Sequence, residues 1–427
     1  MAIVAVLLFV AILLAILLGY PVAVALGGMA LVCGYVFLGP AFMQFLPSRL
    51  MGVLSNYVLL AVPMFVLMGL TLQRSGLAET LLRTAAVRLS NRPGGLAMAV
   101  LVVGALLAAS TGIVGASVVT LTLIAFPVMR EAGYRDDVSS GIIAAAGSLG
   151  QIVPPSIVLI LLGSVMQISV GGLFQAAMWP SIAIVALYAC YIFCVGWLKP
   201  DAMPVHGARQ SSEALLEPEN TKAVWLGVLG TLALIVGVLG SILLGIASPT
   251  EASGVGAVAA FVLLFAAGKG SWTVVIEVSR DALRLTAMIF LILLGATTFA
   301  LVFRGLGGDA ALVELIQSSG LSAKHFLLLL LVVVFVAGFF IDFIEIIFIV
   351  VPITLPVIEA YELDPVWVAM LLAINLQTSF LSPPFGFSLF YLRGAAPANL
   401  RTVDVYRGAM PYVAMQLIVL VGVFVMY

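Results

Sequence analysis

Apolar residues fill this chain in blocks long enough to cross a lipid bilayer, and polar residues are confined to short gaps between them. A crossing needs about 20 apolar residues. Ten stretches qualify: 2–19, 22–39, 54–73, 138–167, 174–198, 222–247, 250–267, 282–303, 365–392 and 405–427. Two further apolar regions, 96–129 and 324–358, are interrupted near their middles. The interruption is Ser110-Thr111-Gly112 in one and Gly338 to Asp342 in the other. Each limb is then about 15–17 residues, or roughly 22–26 Å of helix, short of the roughly 30 Å hydrocarbon core. Two short limbs around a polar tip predict a re-entrant hairpin, tolerable only inside protein or beside water. The alternative is four tilted full spans.

The two halves repeat. Pro127 is followed 27 residues later by Pro154-Pro155, and Pro356 is followed 27 residues later by Pro383-Pro384; a shift of 229 residues superimposes the sets. The same shift sets Gly27 on Gly256 and Ser75-Gly76-Leu77 on Arg304-Gly305-Leu306. Internal repetition with paired breaks in apolar segments points to a transport site between two repeats. The expected organisation is a first repeat over 1–198, a polar linker over 199–221 and a second repeat over 222–427.

Composition agrees: 63% of residues are hydrophobic and 9% charged, where a soluble protein carries roughly a quarter charged. A net charge of −1 leaves no basic footprint for nucleic acid. Cys190 and Cys194, at i and i+4, suit either a metal or, given their apolar surroundings, packed thiols. Met1–Gly19 has no basic leader region and is expected to be the first crossing rather than a signal peptide.

Lysine and arginine set the orientation. With each hairpin returning to its own side, one face carries Arg49, Arg304 and Lys324, and the other carries the remaining fifteen of the 18 cations. The crowded face is expected to be cytoplasmic and both termini external. A single crossing in place of either hairpin would exchange every later loop and scramble this bias. Each repeat then has five crossings, an odd number, so the two insert in opposite directions. The expected fold is an all-α polytopic membrane protein of two inverted-topology repeats, each with a re-entrant hairpin and a broken helix.

The proline pairs lie about 24–29 Å into their helices, near mid-membrane. They occur as Gly150-Gln151-Ile152-Val153-Pro154-Pro155-Ser156 and Gln377-Thr378-Ser379-Phe380-Leu381-Ser382-Pro383-Pro384. Proline removes a backbone donor and clashes with the preceding turn, so two in succession free carbonyls. Those carbonyls and nearby hydroxyls make a hard oxygen cage for a cation, and the half-helix that follows offers its positive end to an anion. A simple kink is the bland reading for one such pair. The first tip, Ala108 to Ser117, reads as part of the site or as small-residue packing. In the second tip Asp342 is a helix cap or a cation ligand, and the role of Glu345 stays open. Residues 76–91 and 270–285 are amphipathic and read as interfacial arms or as charged flanks.

Ser110-Thr111-Gly112, Gly115-Ala116-Ser117, Pro154-Pro155-Ser156 and Asn375 through Pro383-Pro384-Phe385-Gly386 together resemble the large membrane subunit of tripartite ATP-independent periplasmic (TRAP) transporters, over nearly the whole chain. The resemblance implies Na⁺-driven elevator import of an organic acid across the bacterial inner membrane. It implies a soluble periplasmic binding protein and a small, roughly four-helix membrane partner, here expected as a separate chain. It places one Na⁺ site at Ser110, Thr111, Gly112, Gly150, Val153 and Pro154. A second falls at Gly338, Asp342, Thr378, Ser379 and Ser382. Substrate contacts fall at Ser117, Ser148, Gln151, Asn375, Gln377 and Pro383. The second tip departs from the pattern by being bulky and doubly acidic, and no arginine is visible in the apolar core to pair a carboxylate.

Three other functions compete. A stand-alone Na⁺/dicarboxylate symporter of the same fold would need no binding protein. An intramembrane aspartyl hydrolase would use Asp342 with Glu345, but such dyads oppose acids from different helices. A channel leaves mobile hairpins without a purpose. The expected class is a transporter and not an enzyme.

Overall fold

The computed structural model describes residues 1–89, 92–205 and 221–426. Among these residues every regular element is helical. Eight helices are long and apolar enough to cross a membrane. Most of the expected linker, residues 206–220, lies outside the described residues.

Helix boundaries recur with the offset seen in the prolines. Val114–Glu131 maps onto Phe343–Ala360 when 229 is added to both ends. The broken helices correspond likewise: Asp136–Ser148 then Ile157–Val165 in the first half, Pro365–Leu381 then Phe387–Ala395 in the second. Local chemistry explains the starts. Asp364 accepts from the Val366 N–H at 2.8 Å, with Pro365 as the first helical residue. Ser248 and Glu251 form a full capping box ahead of Pro249–Ala266.

Each hairpin stands on one spot. Gly94, just before the first, packs on Ile192 and Met203; Arg135, just after it, donates its N–H to the Ala202 carbonyl at 3.3 Å. The second begins at Leu321, whose carbonyl accepts from the Tyr361 hydroxyl at 2.6 Å just past the hairpin's end. The two ends of each hairpin therefore lie side by side, although the second limbs, Val114–Glu131 and Phe343–Ala360, are at 18 residues longer than expected and are among the eight helices long enough to cross. Other loop ends sort into the same two groups. Arg130 reaches Asn399 at 2.8 Å, and Arg74 meets Glu277 at 3.4 Å, all at ends assigned to the cation-rich face. Tyr57 and Thr250 meet at 3.2 Å at ends assigned to the other.

Two features differ from expectation, and one open reading is decided. Of the two readings of the amphipathic stretch 270–285, arm or charged flank, the structure has the flank: it is the start of one unbroken helix, Trp272–Gly305, of 34 residues. Neither glycine nor proline interrupts it before Gly295, and Ser271 caps it through the Val274 N–H at 3.2 Å. Its counterpart in the first half is divided into Leu46–Leu54, Tyr57–Leu60 and Ala61–Arg74, with Asn56 capping the restart at 3.0 Å. The stretch 76–91 does become a helix of its own, Leu77–Leu89, set off by Gly76 at φ +70°. Cys190 and Cys194 are exposed on the helix Val170–Leu198, not packed.

The halves interlock. Helix Val22–Met43 packs on Trp272–Gly305, where an added Cβ on Gly27 would lie 3.4 Å from the Gly295 Cα. Helix Pro249–Ala266 packs reciprocally on Ala61–Arg74. The first broken helix crosses Thr402–Val425 at Gly141 and Gly408, where a Cβ on either would enter the other's backbone.

Candidate functional site

The first hairpin turns at Gly112, which caps Gly95–Thr111 in the left-handed conformation at φ +60°. Glycine is the residue that adopts it without strain. The tip meets the first break. A Cβ on Gly112 would lie 3.3 Å from the Ile157 backbone nitrogen, where the second half-helix starts. A Cβ on Gly150 would lie 3.2 Å from the Ala108 carbonyl oxygen. The second hairpin repeats this: a Cβ on Gly338 would fall inside the Ser379 side chain. Each tip thus stops at the level where its own broken helix stops. Both proline pairs carry a cis peptide, Pro154-Pro155 and Pro383-Pro384.

The hydroxyls at these places share a feature. Ser110 donates to the Leu107 carbonyl at 2.9 Å, Thr378 to Ile374 at 2.7 Å, Ser379 to Leu376 at 2.9 Å and Ser382 to Thr378 at 2.7 Å. A hydroxyl has one proton and two lone pairs. With its proton spent on its own helix, each presents only acceptor character outward. Thr111 also donates to Leu107 at 2.9 Å and lies 2.8 Å from the Ser117 hydroxyl, so the proton between those two belongs to Ser117. Ser148 donates to Ala145 at 2.8 Å. Among the described residues no three His, Cys, Asp or Glu side chains cluster as a metal site. The oxygens gathered here are neutral, apart from Asp342.

Two freed carbonyls are partly engaged. Ser156 donates to Gln151 at 2.6 Å and Ser181 to Ile152 at 3.1 Å. Val153 keeps its N–H on Leu149 at 2.9 Å, and Pro154 is buried behind it. Asn375 is buried and donates to the Leu331 carbonyl at 2.8 Å, which ties the second broken helix to the second hairpin. Gln151 and Gln377 are fully buried with both amide atoms unpaired. Pro383 is half-buried.

Between the two tips lies a cavity of about 120 Å³. Gly115 and Ile157 line it from the first half, Asp342, Phe380 and Tyr391 from the second, and Met288 from the long helix. Asp342 caps Phe343–Ala360, accepting from the Ile344 N–H at 3.3 Å, so capping and cavity lining coincide. Glu345, three residues on, turns back towards the Asp342 backbone amide, the place of the acid in a capping box. The cavity brings both tips and both breaks together. It does not include Ser117, Ser148, Gln151, Asn375, Gln377 or Pro383. Sequence reasoning placed Gly115 in the first tip and Phe380 in the second break without giving either a contact, and it missed Met288 and Tyr391. The tyrosine, an aromatic with a polar end in the half-helix after the proline pair, was the available signal.

Comparison with known proteins agrees with this architecture. Residues 9–427 match the family model described as "Tripartite ATP-independent periplasmic transporter, DctM component". The chain is 31% identical to the C4-dicarboxylate TRAP transporter large permease protein DctM of Pseudomonas aeruginosa, over 90% of this chain and 87% of that one. It is 28% identical to the ectoine TRAP transporter large permease protein TeaC of Halomonas elongata, over 93% and 91%. Among solved structures it resembles the YdaH transporter of Alcanivorax borkumensis, with a TM-score of 0.63 at 16% identity over 90% of this chain and 88% of that one. At that identity the likeness concerns the fold alone.

Proposed function

Since the chain belongs to the DctM component family of tripartite ATP-independent periplasmic transporters, we propose that it is the large permease subunit of a Na⁺-coupled importer of a small organic-acid anion. The carrying observation is that each hairpin tip meets the proline break of its own half beside acceptor-only hydroxyls, and that one cavity lined by Asp342 lies between the two tips. Na⁺ is a hard cation suited to such oxygens. One ion lies between Ser110–Gly112 and the break at Gly150–Pro154, and a second between Gly338, Asp342 and the break at Thr378–Ser382. The anion lies between the tips, facing the N-terminus of Ile157–Val165, whose dipole supplies the positive field that no core arginine provides.

The two halves are inverted repeats in this reading. The first hairpin enters from the cytoplasm and the second from outside, and both termini are external. The hairpins and broken helices form a unit that shifts as an elevator, and the remaining helices form the scaffold. A small membrane subunit and a periplasmic binding protein complete the transporter. Each positive charge moved inward supplies about 2.3 kcal/mol per 100 mV.

One observation favours a second class of cargo. Asp342 faces the cavity. Its carboxylate repels a bare dianion unless a cation stands between them, and it pairs directly with a zwitterion. The test is uptake into proteoliposomes holding the chain, its membrane partner and its binding protein, screened over succinate, other small acids and ectoine. Uptake should follow an imposed Na⁺ gradient and vanish when K⁺ replaces it. Equal uptake in K⁺ overturns the coupling, and full uptake without the binding protein favours a stand-alone symporter.

A further inference from the structure

A second cavity, of about 540 Å³, opens where the helix ends assigned to the external face converge. Arg49 and Arg304 line it, and its lining includes no aspartate or glutamate. Arg304 spends its Nε on Asp309 at 2.8 Å. Arg49 is exposed and, among the described residues, its guanidinium has neither an ion-pair nor a hydrogen-bond partner. These are two of the three cations on that face, so they gather in one hollow most of the positive charge available there.

The hollow leads somewhere. Along Trp272–Gly305, Met288 and Ile289 line the cavity between the tips, and Leu293, one helical turn on, begins the lining of the outer one. Along Phe343–Ala360 the same succession holds: Phe343 and Ile344 line the inner cavity, Phe348 and Pro352 the outer. Two helices therefore run side by side from one space into the other. Arg304 lies 16 residues from Met288, about 24 Å along the helix, so the outer space is a separate stop.

We propose that this outer cavity is a capture subsite for a carboxylate anion, held by Arg49 before the anion passes to the tips. Guanidinium presents a planar fork of donors matched to a carboxylate, and a cavity of one sign concentrates the opposite ion. The subsite supplies the arginine that the apolar core lacks. The inference rests on the orientation and transport direction proposed above.

The test reads charge and binding directly. With Cys33, Cys190 and Cys194 replaced by serine, Gly52→Cys puts a thiol on the cavity wall, where an added Cβ meets no atom within 4 Å. Spheroplasts expressing the full transporter are labelled with impermeant methanethiosulfonates, one bearing a sulfonate and one a trimethylammonium. Arg49→Gln should lower the ratio of anionic to cationic labelling about tenfold, Arg49→Lys should restore most of it, and added salt should flatten the difference. Succinate should slow the sulfonate reagent in the Arg49 protein and not in Arg49→Gln. In uptake, Arg49→Gln should raise KM about tenfold with maximal rate kept. An unchanged labelling ratio, no succinate protection, or a fall in maximal rate at constant KM overturns the capture role. Labelling does not depend on transport: charge-selective labelling with no acid taken up keeps the subsite and removes the transport reading, and the converse result does the reverse.

Discussion

A serine or threonine in a helix commonly returns its proton to a carbonyl one turn back, and that habit gives the hydroxyls of this site their chemistry. Ser110 and Thr378 donate at 2.9 and 2.7 Å to Leu107 and Ile374, which leaves oxygen lone pairs and no outward donor. Removing one ligand oxygen should weaken Na⁺ binding by about 1.4 kcal/mol, a factor of ten. Ser110→Ala and Thr378→Val should each raise the Na⁺ concentration for half-maximal uptake by about that factor, and Thr378→Ser should not. If both Ser110→Ala and Thr378→Val keep the parent Na⁺ dependence, the assigned ligands are wrong. Gly338 makes a steric case at the same scale. Any Cβ there occupies the space of the Ser379 side chain, so Gly338→Ala must displace a proposed ligand. It should cost about 1–3 kcal/mol, read as a lower thermal midpoint in detergent, and weaken Na⁺ binding as well.

At the scale of the helix, close crossings carry the packing, because lipid tails provide no hydrophobic drive between spans. Gly141 and Gly408 let Asp136–Ser148 and Thr402–Val425 touch backbone to backbone. Gly408→Val should force the pair apart and cost about 1–3 kcal/mol, seen in thermal unfolding of the purified transporter. A Gly408→Val midpoint equal to the parent's would show that this crossing yields easily. Most of these elements are legible in the chain. Hydropathy marks the spans to within a few residues, and the two proline pairs mark the breaks, because proline acts locally whatever surrounds it. Hydropathy does not mark where a helix continues through polar residues, so the start of Trp272–Gly305 reads as either an arm or a flank. It also passes over Leu46–Leu54, nine residues too short to register as a span, so Arg49 is counted on its face without being placed beside Arg304. The cavity wall is hidden for a different reason. Gly115 and Tyr391 meet only after both halves fold, and nothing near either in sequence encodes the other.

For the whole molecule, two polar bonds join the segment from Asn56 to Arg74 to the unit proposed to move. Asn56 donates to the Ser164 hydroxyl at 3.1 Å at one end, and Gln73 donates to Thr120 at the other. An elevator displacement must break both. Asn56→Cys with Ser164→Cys, joined by a bifunctional thiol reagent, should halt uptake, and dithiothreitol should restore it. Undiminished uptake by the joined protein would show that these parts do not separate during transport. The assembly also divides its labour along the repeat boundary. Each tip meets a break of its own half, Gly112 with Ile157 and Gly338 with Ser379, whereas the cavity wall is shared, with a Cβ on Gly115 reaching within 3.0 Å of the Tyr391 ring. On the proposed assignment a descendant could exchange its nutrient by altering Gly115 or Tyr391 on the common wall while inheriting its power source intact, Asp342 being the wall residue that diet and fuel would share.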